Sequence, residues 1–147
     1  DLRDAGKRVT IPGKRGKTYK EPSQTDLLIA EETLPFIFDD GKSLAVKDLD
    51  AVRDRPFVEH LKFARDRGFS LFVKRVKIGS SKHVRVRPRF DSWEVRGRFE
   101  VTSEVFGTDG LRMVFDQAGK IGLGDWRPGC QTPGRFGQFT YKIKQIK

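Results

Sequence analysis

The fold turns on one stretch, His83-Val84-Arg85-Val86-Arg87-Pro88-Arg89-Phe90-Asp91-Ser92-Trp93-Glu94-Val95-Arg96-Gly97-Arg98-Phe99-Glu100-Val101. Val84, Val86, Pro88 and Phe90 alternate with His83, Arg85, Arg87 and Arg89, the period of two expected of a strand with one buried face. Beyond Asp91-Ser92 the alternation resumes, with Trp93, Val95, Phe99, Val101 and Val105 set against Glu94, Arg96, Arg98, Glu100 and Glu104. Two alternating runs around a short polar pair predict an antiparallel hairpin with its tip at Asp91-Ser92. That register places Arg87 opposite Arg96, Arg85 opposite Arg98 and Arg89 opposite Glu94. Like charges directly opposite one another are destabilising. A square of four arginines is therefore expected to be spanned by an anion, and the planar guanidinium fork suits phosphate. The other reading is that these long side chains splay into water. Pro88 has no N–H, which puts its strand at an edge or a bulge.

Working outward, residues 69–76 alternate weakly and predict a further strand. Asp54-Arg55-Pro56 opens a helix that Gly68 stops, with Phe57, Leu61 and Ala64 as its buried stripe. Thr108 or Asp109 opens a second helix with the stripe Leu111, Val114, Phe115 and Ala118, ended by Gly119. Phe139, Tyr141 and Ile143 alternate with Thr140, Lys142 and Lys144 as a last strand. The order of elements predicts an α+β fold: a ferredoxin-like or RRM-like antiparallel sheet with two helices on one face and a C-terminal glycine-rich loop. Residues 26–147 are expected to form a single domain. Residues 1–25, with Gly6-Lys7-Arg8 and Gly13-Lys14-Arg15-Gly16-Lys17, are expected to form a basic extended arm. Gly13 to Thr18 superficially resembles a P-loop, but two residues rather than four precede the Gly-Lys pair, and nucleotide hydrolysis is excluded on that spacing.

The loop after the second helix reads Ile121-Gly122-Leu123-Gly124-Asp125-Trp126-Arg127-Pro128-Gly129 and closes with Gly134-Arg135-Phe136-Gly137-Gln138-Phe139. Glycine permits φ > 0 and close backbone approach. Gly122, Gly124, Gly134 and Gly137 can therefore shape a loop that offers N–H groups to a phosphate, with Arg127 and Arg135 supplying charge and Trp126 able to stack on a base. A loop that only turns tightly fits the same residues.

Composition sets the partner class. The chain has 147 residues, 30 basic and 20 acidic, for a net charge of +10. The excess is uneven: 7 basic and 3 acidic residues in 1–25, 7 and 10 in 26–67, 16 and 7 in 68–147. A sequence pI near 10.0 points to a polyanion, most often nucleic acid. Lys14, Arg15 and Lys17 join the arginines as candidate phosphate contacts. The lone Cys130 excludes an intrachain disulfide and a multi-cysteine zinc site, and fits a reducing, cytoplasmic compartment. No apolar run suggests a membrane span, no signal-peptide pattern is present, and the first residue, Asp1, suggests numbering that begins inside a longer product. No triad, carboxylate pair or metal-ligand spacing stands out, so no catalytic residue, metal or cofactor is assigned; His60 and His83 are the only general-base candidates.

The helix, the hydrophobic-Gly-hydrophobic-Gly run at Ile121 to Gly124 and the Gly-x-aromatic-Gly-x-aromatic run at Gly134 to Phe139 resemble the C-terminal glycine-rich loop of the RAMP superfamily, the ferredoxin-like RNA-binding and RNA-processing proteins of CRISPR systems. Arg85-x-Arg87-Pro88-Arg89-Phe90-x-x-Trp93, followed by Gly122 to Pro128, is also similar to a group of small phage-encoded proteins. The resemblance covers roughly residues 69–147. It implies a ferredoxin-like fold and contact between the glycine loop and a nucleic-acid backbone, in a bacterial host cell. The expected partner is RNA or single-stranded DNA, bound through Arg85, Arg87, Arg89, Arg96, Arg98, the glycine loop and the basic arm, with copies able to line up along a strand or join a larger ribonucleoprotein. Two other readings stay open: a metal-independent endoribonuclease of the same fold, and a protein–protein module such as a virion component or an inhibitor of host defence.

Overall fold

The computed structural model describes residues 2–146, side chains included except that of residue 78; Asp1 and Lys147, the outer ends of the expected arm and domain, lie outside it. In chain order the elements are α1 (Leu2–Gly6), α2 (Pro22–Thr25), β1 (Leu27–Ile29), β2 (Phe36–Ile37), β3 (Ser43–Leu44), α3 (Val46–Asp50), α4 (Phe57–Arg67), β4 (Ser70–Ile78), β5 (Ser81–Arg89), β6 (Phe99–Val101) and α5 (Gly107–Ile121). The fold is mixed α and β with small antiparallel sheets. Among the described residues the strands pair two by two, β1 with β6, β2 with β3 and β4 with β5, and do not join into the expected four-stranded ferredoxin-like sheet. The chain divides into two compact units rather than an arm and one domain. Unit 1 comprises Asp1–Ala30 and Phe99–Lys147; unit 2 is Glu31–Arg98.

Unit 1 is built on α5. Its stripe packs as the periodicity predicts, with Val114 and Ala118 buried. The helix continues past Gly119 and ends at Gly122, whose φ is +79°. Gly119 serves a different purpose from stopping the helix: a Cβ there would overlap the Phe139 carbonyl oxygen. The core comprises Ala5, Tyr19, Leu27, Phe106, Val114, Ala118 and Ile121. Full burial of the larger side chains, Leu27, Phe106, Val114 and Ile121, contributes about 1.5–3 kcal/mol each.

Ala5 and Tyr19 belong to the stretch expected to extend as a basic arm, which instead forms part of this core. The Tyr19 ring stacks on Phe106 with centroids 5.3 Å apart. Burial, assisted by the charge of Asp109, raises the Tyr19 phenol above its ordinary pKa. Residues 9–19 double back as a tight loop, with Ile11 N–H donating to Lys17 O at 2.9 Å and Tyr19 N–H to Val9 O at 3.0 Å. Gly13 and Gly16 make the tip at φ +74° and +73°, conformations that other residues enter only with strain. At the other end of the chain, residues 139–143 form no strand. Phe139 N–H donates to Gly119 O at 3.3 Å, Tyr141 Oη donates to Arg112 O at 3.1 Å, and the Tyr141 ring lies 5.3 Å from Phe115. The segment lies along α5, where Phe139 and Tyr141 pack while Ile143 stays exposed.

Unit 2 contains α4, bounded as expected by Pro56 and by Gly68 at φ +81°. Only Ala64 of its stripe is buried; Phe57 and Leu61 are exposed. An aromatic cluster organises the rest: Phe36 stacks on Phe90 at 4.6 Å and meets Trp93 edge-on at 6.0 Å, and Phe69 packs on Phe90 at 5.2 Å. This cluster explains the main difference from the sequence reading. Trp93 is drawn toward Phe36, Glu94 bridges to Ile37, and residues 93–98 do not pair with β5. Asp91-Ser92 is a bend, with Asp91 bound to Arg89 and Ser92 Oγ donating to Asp39 at 3.0 Å. The hairpin tip is Gly79-Ser80, between β4 and β5.

The Tyr19 site yields a stability test. A Cβ on Gly110 would overlap the Tyr19 hydroxyl and lie 2.7 Å from its ring. Gly110→Ala gains about 1 kcal/mol of helix propensity but incurs overpacking of about 1–3 kcal/mol. Urea denaturation is expected to show net destabilisation, and an unchanged or raised midpoint would contradict this packing.

Candidate nucleic-acid interface

The β4–β5 ribbon brings together the densest positive charge in unit 2. Between Ser70 and Arg89 the basic residues are Lys74, Arg75, Lys77, Lys82, Arg85, Arg87 and Arg89, and there is no Asp or Glu. Outside the ribbon, unit 2 holds nine basic residues and eleven acidic; the ribbon's seven turn that net −2 into +5. Gly79, at φ +60°, makes a two-residue turn of the kind that matches strand twist. The ladder then runs without interruption from Ile78–Ser81 to Ser70–Arg89.

That register assigns faces, because directly opposed residues share one. Lys74 faces Arg85, Val76 faces His83 and Phe72 faces Arg87 on one side. Lys77 faces Lys82, Arg75 faces Val84 and Val73 faces Val86 on the other. Each face thus carries a pair of like charges in direct opposition, an arrangement that destabilises a strand pair. Apart from half-buried Arg87, every residue of β5 is exposed, and Val73 and Val84 are 51% and 62% exposed. Among the described residues Arg75, Lys77, Lys82 and Arg85 make no ion pair.

The expected square of Arg85, Arg87, Arg96 and Arg98 does not form, since Arg85 and Arg87 oppose Lys74 and Phe72. Three of the predicted arginines are held by carboxylates. Arg89 pairs with Asp91 at 2.7 Å and Arg96 with Glu94 at 2.6 Å. Arg98 donates to Glu31 from its backbone N–H at 2.8 Å and from Nε at 3.1 Å. These two bonds hold the Glu31 carboxyl below its ordinary pKa.

The glycine loop, in unit 1, is folded against itself. Leu123 N–H donates to Gly137 O at 2.8 Å, Gly129 N–H to Ile121 O at 3.0 Å, Gly134 N–H to Arg127 O at 3.3 Å and Phe136 N–H to Trp126 O at 3.1 Å. A Cβ on Gly134 would overlap the Trp126 carbonyl oxygen, one on Gly137 the Leu123 carbonyl oxygen, and one on Gly122 would sit 2.9 Å from Gly137 O. These glycines let two backbone segments touch; the Leu123, Gly129, Gly134 and Phe136 amides are spent inside the loop and the Gly122 amide on Ala118 of α5. Gly124 is different: it needs φ +76° but a Cβ there would meet nothing. Trp126, at φ +56°, lies parallel to Phe136 with centroids 6.4 Å apart. Arg127 donates to Gly124 O at 3.0 Å and approaches Asp4 at 3.8 Å, whereas Arg135 is exposed. Lys14, Arg15 and Lys17 are exposed at the tip of the 9–19 loop in the same unit.

Of the histidines, His60 Nε2 is 2.6 Å from Val52 O and ties α4 to the preceding turn, while His83 is exposed on the ribbon. Among the described residues no group of three or more His, Cys, Asp or Glu could hold a metal ion, and no helix is long and apolar enough to cross a membrane. Sequence reasoning missed Lys74, Arg75, Lys77 and Lys82; the Gly79-Ser80 dipeptide between two alternating runs was the signal that locates them. Comparison with family models, curated proteins and solved structures finds no match to this chain.

Two tests follow from this geometry. Gly137→Ala combines backbone overlap with φ +75°, whereas Gly124→Ala meets left-handed strain alone, about 1–2 kcal/mol. Chemical denaturation is expected to rank Gly137→Ala as clearly more destabilising; equal effects would contradict a packing role. Because the folded-state pKa of Glu31 is depressed, its contribution is present above the ordinary carboxylate pKa and disappears as pH falls through the lowered value. Carboxyl NMR should place Glu31 below a normal glutamate, and Arg98→Gln should return it toward normal. A Glu31 pKa indifferent to that change would contradict the pairing.

Proposed function

We propose that this protein binds nucleic acid, with the β4–β5 ribbon as its principal contact surface. The observation that carries the reading is the direct opposition of Lys77 and Lys82, neither in an ion pair among the described residues, on a ribbon whose sequence holds no carboxylate. Charged residues on an exposed ribbon also guard its edges against aggregation. Edge protection favours lysine, however, whereas four of the seven cations here are arginines, in a unit otherwise net acidic. A polyanion relieves the mutual repulsion and gains from each cation it meets. Lys14, Arg15 and Lys17 supply separate phosphate contacts on unit 1. The glycine loop contributes packing and the exposed Arg135. The resemblance to RAMP proteins adds little weight to the reading, because the loop that carries it spends the Leu123, Gly129, Gly134 and Phe136 amides on its own carbonyls.

Binding is expected to weaken steeply with salt, since each phosphate contact on B-DNA adds about 0.9 to the slope of log K against log salt. The variant Arg75→Gln/Lys77→Gln/Lys82→Gln/Arg85→Gln should lose up to about 3–4 of that slope. Arg96→Gln/Arg98→Gln, whose guanidinium groups are already paired, should leave the slope nearly unchanged. Fluorescence anisotropy across a salt series reads both. Absence of salt-dependent binding to any nucleic acid would sink the proposal.

A further inference from the structure

We infer, resting on the nucleic-acid reading above, that the ribbon is built to enter the major groove of duplex DNA rather than to carry a single strand on one face. The first support is the distribution of charge over both faces. Arg75, Lys77 and Lys82 lie on one side; Arg85 lies on the other beside Lys74, Arg87 and His83, and Arg89 on that side is held by Asp91. A single strand laid on a sheet meets one face and leaves the opposite set of cations unused. A groove has a phosphate row along each wall, and a ribbon standing in it meets both.

The second support is size. Nine residues per strand at about 3.3 Å each give a ribbon roughly 30 Å long. That approaches one duplex turn of about 34 Å. The major groove of B-DNA, about 12 Å wide, admits a two-stranded ribbon. The deep, narrow major groove of duplex RNA does not. The third support is chemical. Single-strand platforms rely on exposed aromatic side chains that stack on bases. From Val73 to Arg89 the ribbon contains no Phe, Tyr or Trp and a single ring able to stack, His83; its apolar residues are valine, Ile78 and Pro88, and Phe72 is half-buried at the base. Val84 and Val86, exposed beside Arg75, suit apolar contact with a thymine methyl better than stacking.

The decisive experiment compares two double variants, Lys77→Gln/Lys82→Gln on one face and Lys74→Gln/Arg85→Gln on the other. Each removes a repelling pair, and circular dichroism confirms folding. The probes are a labelled DNA duplex about two turns long, its single strand, and an RNA duplex of the same sequence, at about 0.15 M salt. The expected result is tightest binding to duplex DNA, weakened roughly 10- to 30-fold by either variant through loss of about two phosphate contacts. Methyl green, a major-groove ligand, should compete with the protein, and netropsin, a minor-groove ligand, should not. Equal or tighter binding to the single strand or the RNA duplex, loss confined to one face, or competition by netropsin alone would overturn the groove inference while leaving nucleic-acid binding intact. No binding to any of the three probes would overturn both.

Discussion

Three residue pairs, Leu27–Val101, Leu28–Glu100 and Ile29–Phe99, fasten the chain where residues 31–98 leave unit 1 and return to it. Unit 1 is made of two separate pieces of chain, and this ladder joins them together with the packing of α1 and Tyr19 against α5 and Phe106. Closing a loop of that length costs on the order of 4 kcal/mol beyond a constant. Cross-strand pairs contribute about 0.2–1 kcal/mol each, so the ladder cannot offset the cost alone. Its neighbours do: Leu27 is buried in the core, the Phe99 ring stacks on Phe115 at 5.5 Å, and Thr102 N–H donates to Asp26 O at 3.0 Å. The N-terminal residues are consequently structural. Tyr19 fills the notch left by Gly110, and Gly6 is close-packed because a Cβ would lie 2.5 Å from the Tyr19 carbonyl oxygen.

The same principle explains what was legible in the sequence. Elements defined by local chemistry were read correctly: Pro56 and Gly68 delimit α4, and the apolar period of α5 identifies its buried side. Elements defined by distant partners were not. Tyr19 sits among lysines and glycines, and nothing local distinguishes a core tyrosine from one in a mobile tail. The alternation of residues 93–105 is real, but only Phe99–Val101 becomes a strand, because Phe36 captures Trp93 and Glu31 captures Arg98. The hairpin went to Asp91-Ser92 for the same reason. The polar pair looked like a turn, while the stronger turn residue, Gly79, lay beyond the weakly patterned β4. A shifted partner then placed the like-charge opposition on Arg96 and Arg98 instead of Lys74, Lys77 and Lys82.

The glycine loop shows why residue type alone does not settle a site. Glycine is required both where an amide must reach a phosphate and where one backbone must touch another, and the two demands leave the same letters in the sequence. Here the second demand accounts for Gly122, Gly134 and Gly137, each facing backbone atoms of the loop itself. Arg127, bonded to Gly124 O and close to Asp4, braces that arrangement.

The ribbon presents the opposite situation. A two-stranded hairpin is marginally stable at best without support, and in unit 2 that support comes mainly from α4, which packs against β4. Two like-charge pairs subtract further from that small margin. The Coulombic term is reciprocal, however: repulsion that weakens the isolated ribbon disappears when phosphate charge lies beside both pairs, so a ligand that binds only the formed ribbon stabilises it by mass action. Arg89, Arg96 and Arg98 cannot contribute equally, because meeting a phosphate would compete with carboxylates already in contact. The cations best placed to gain from a polyanion are thus Arg75, Lys77, Lys82 and Arg85, those for which the described structure supplies no carboxylate.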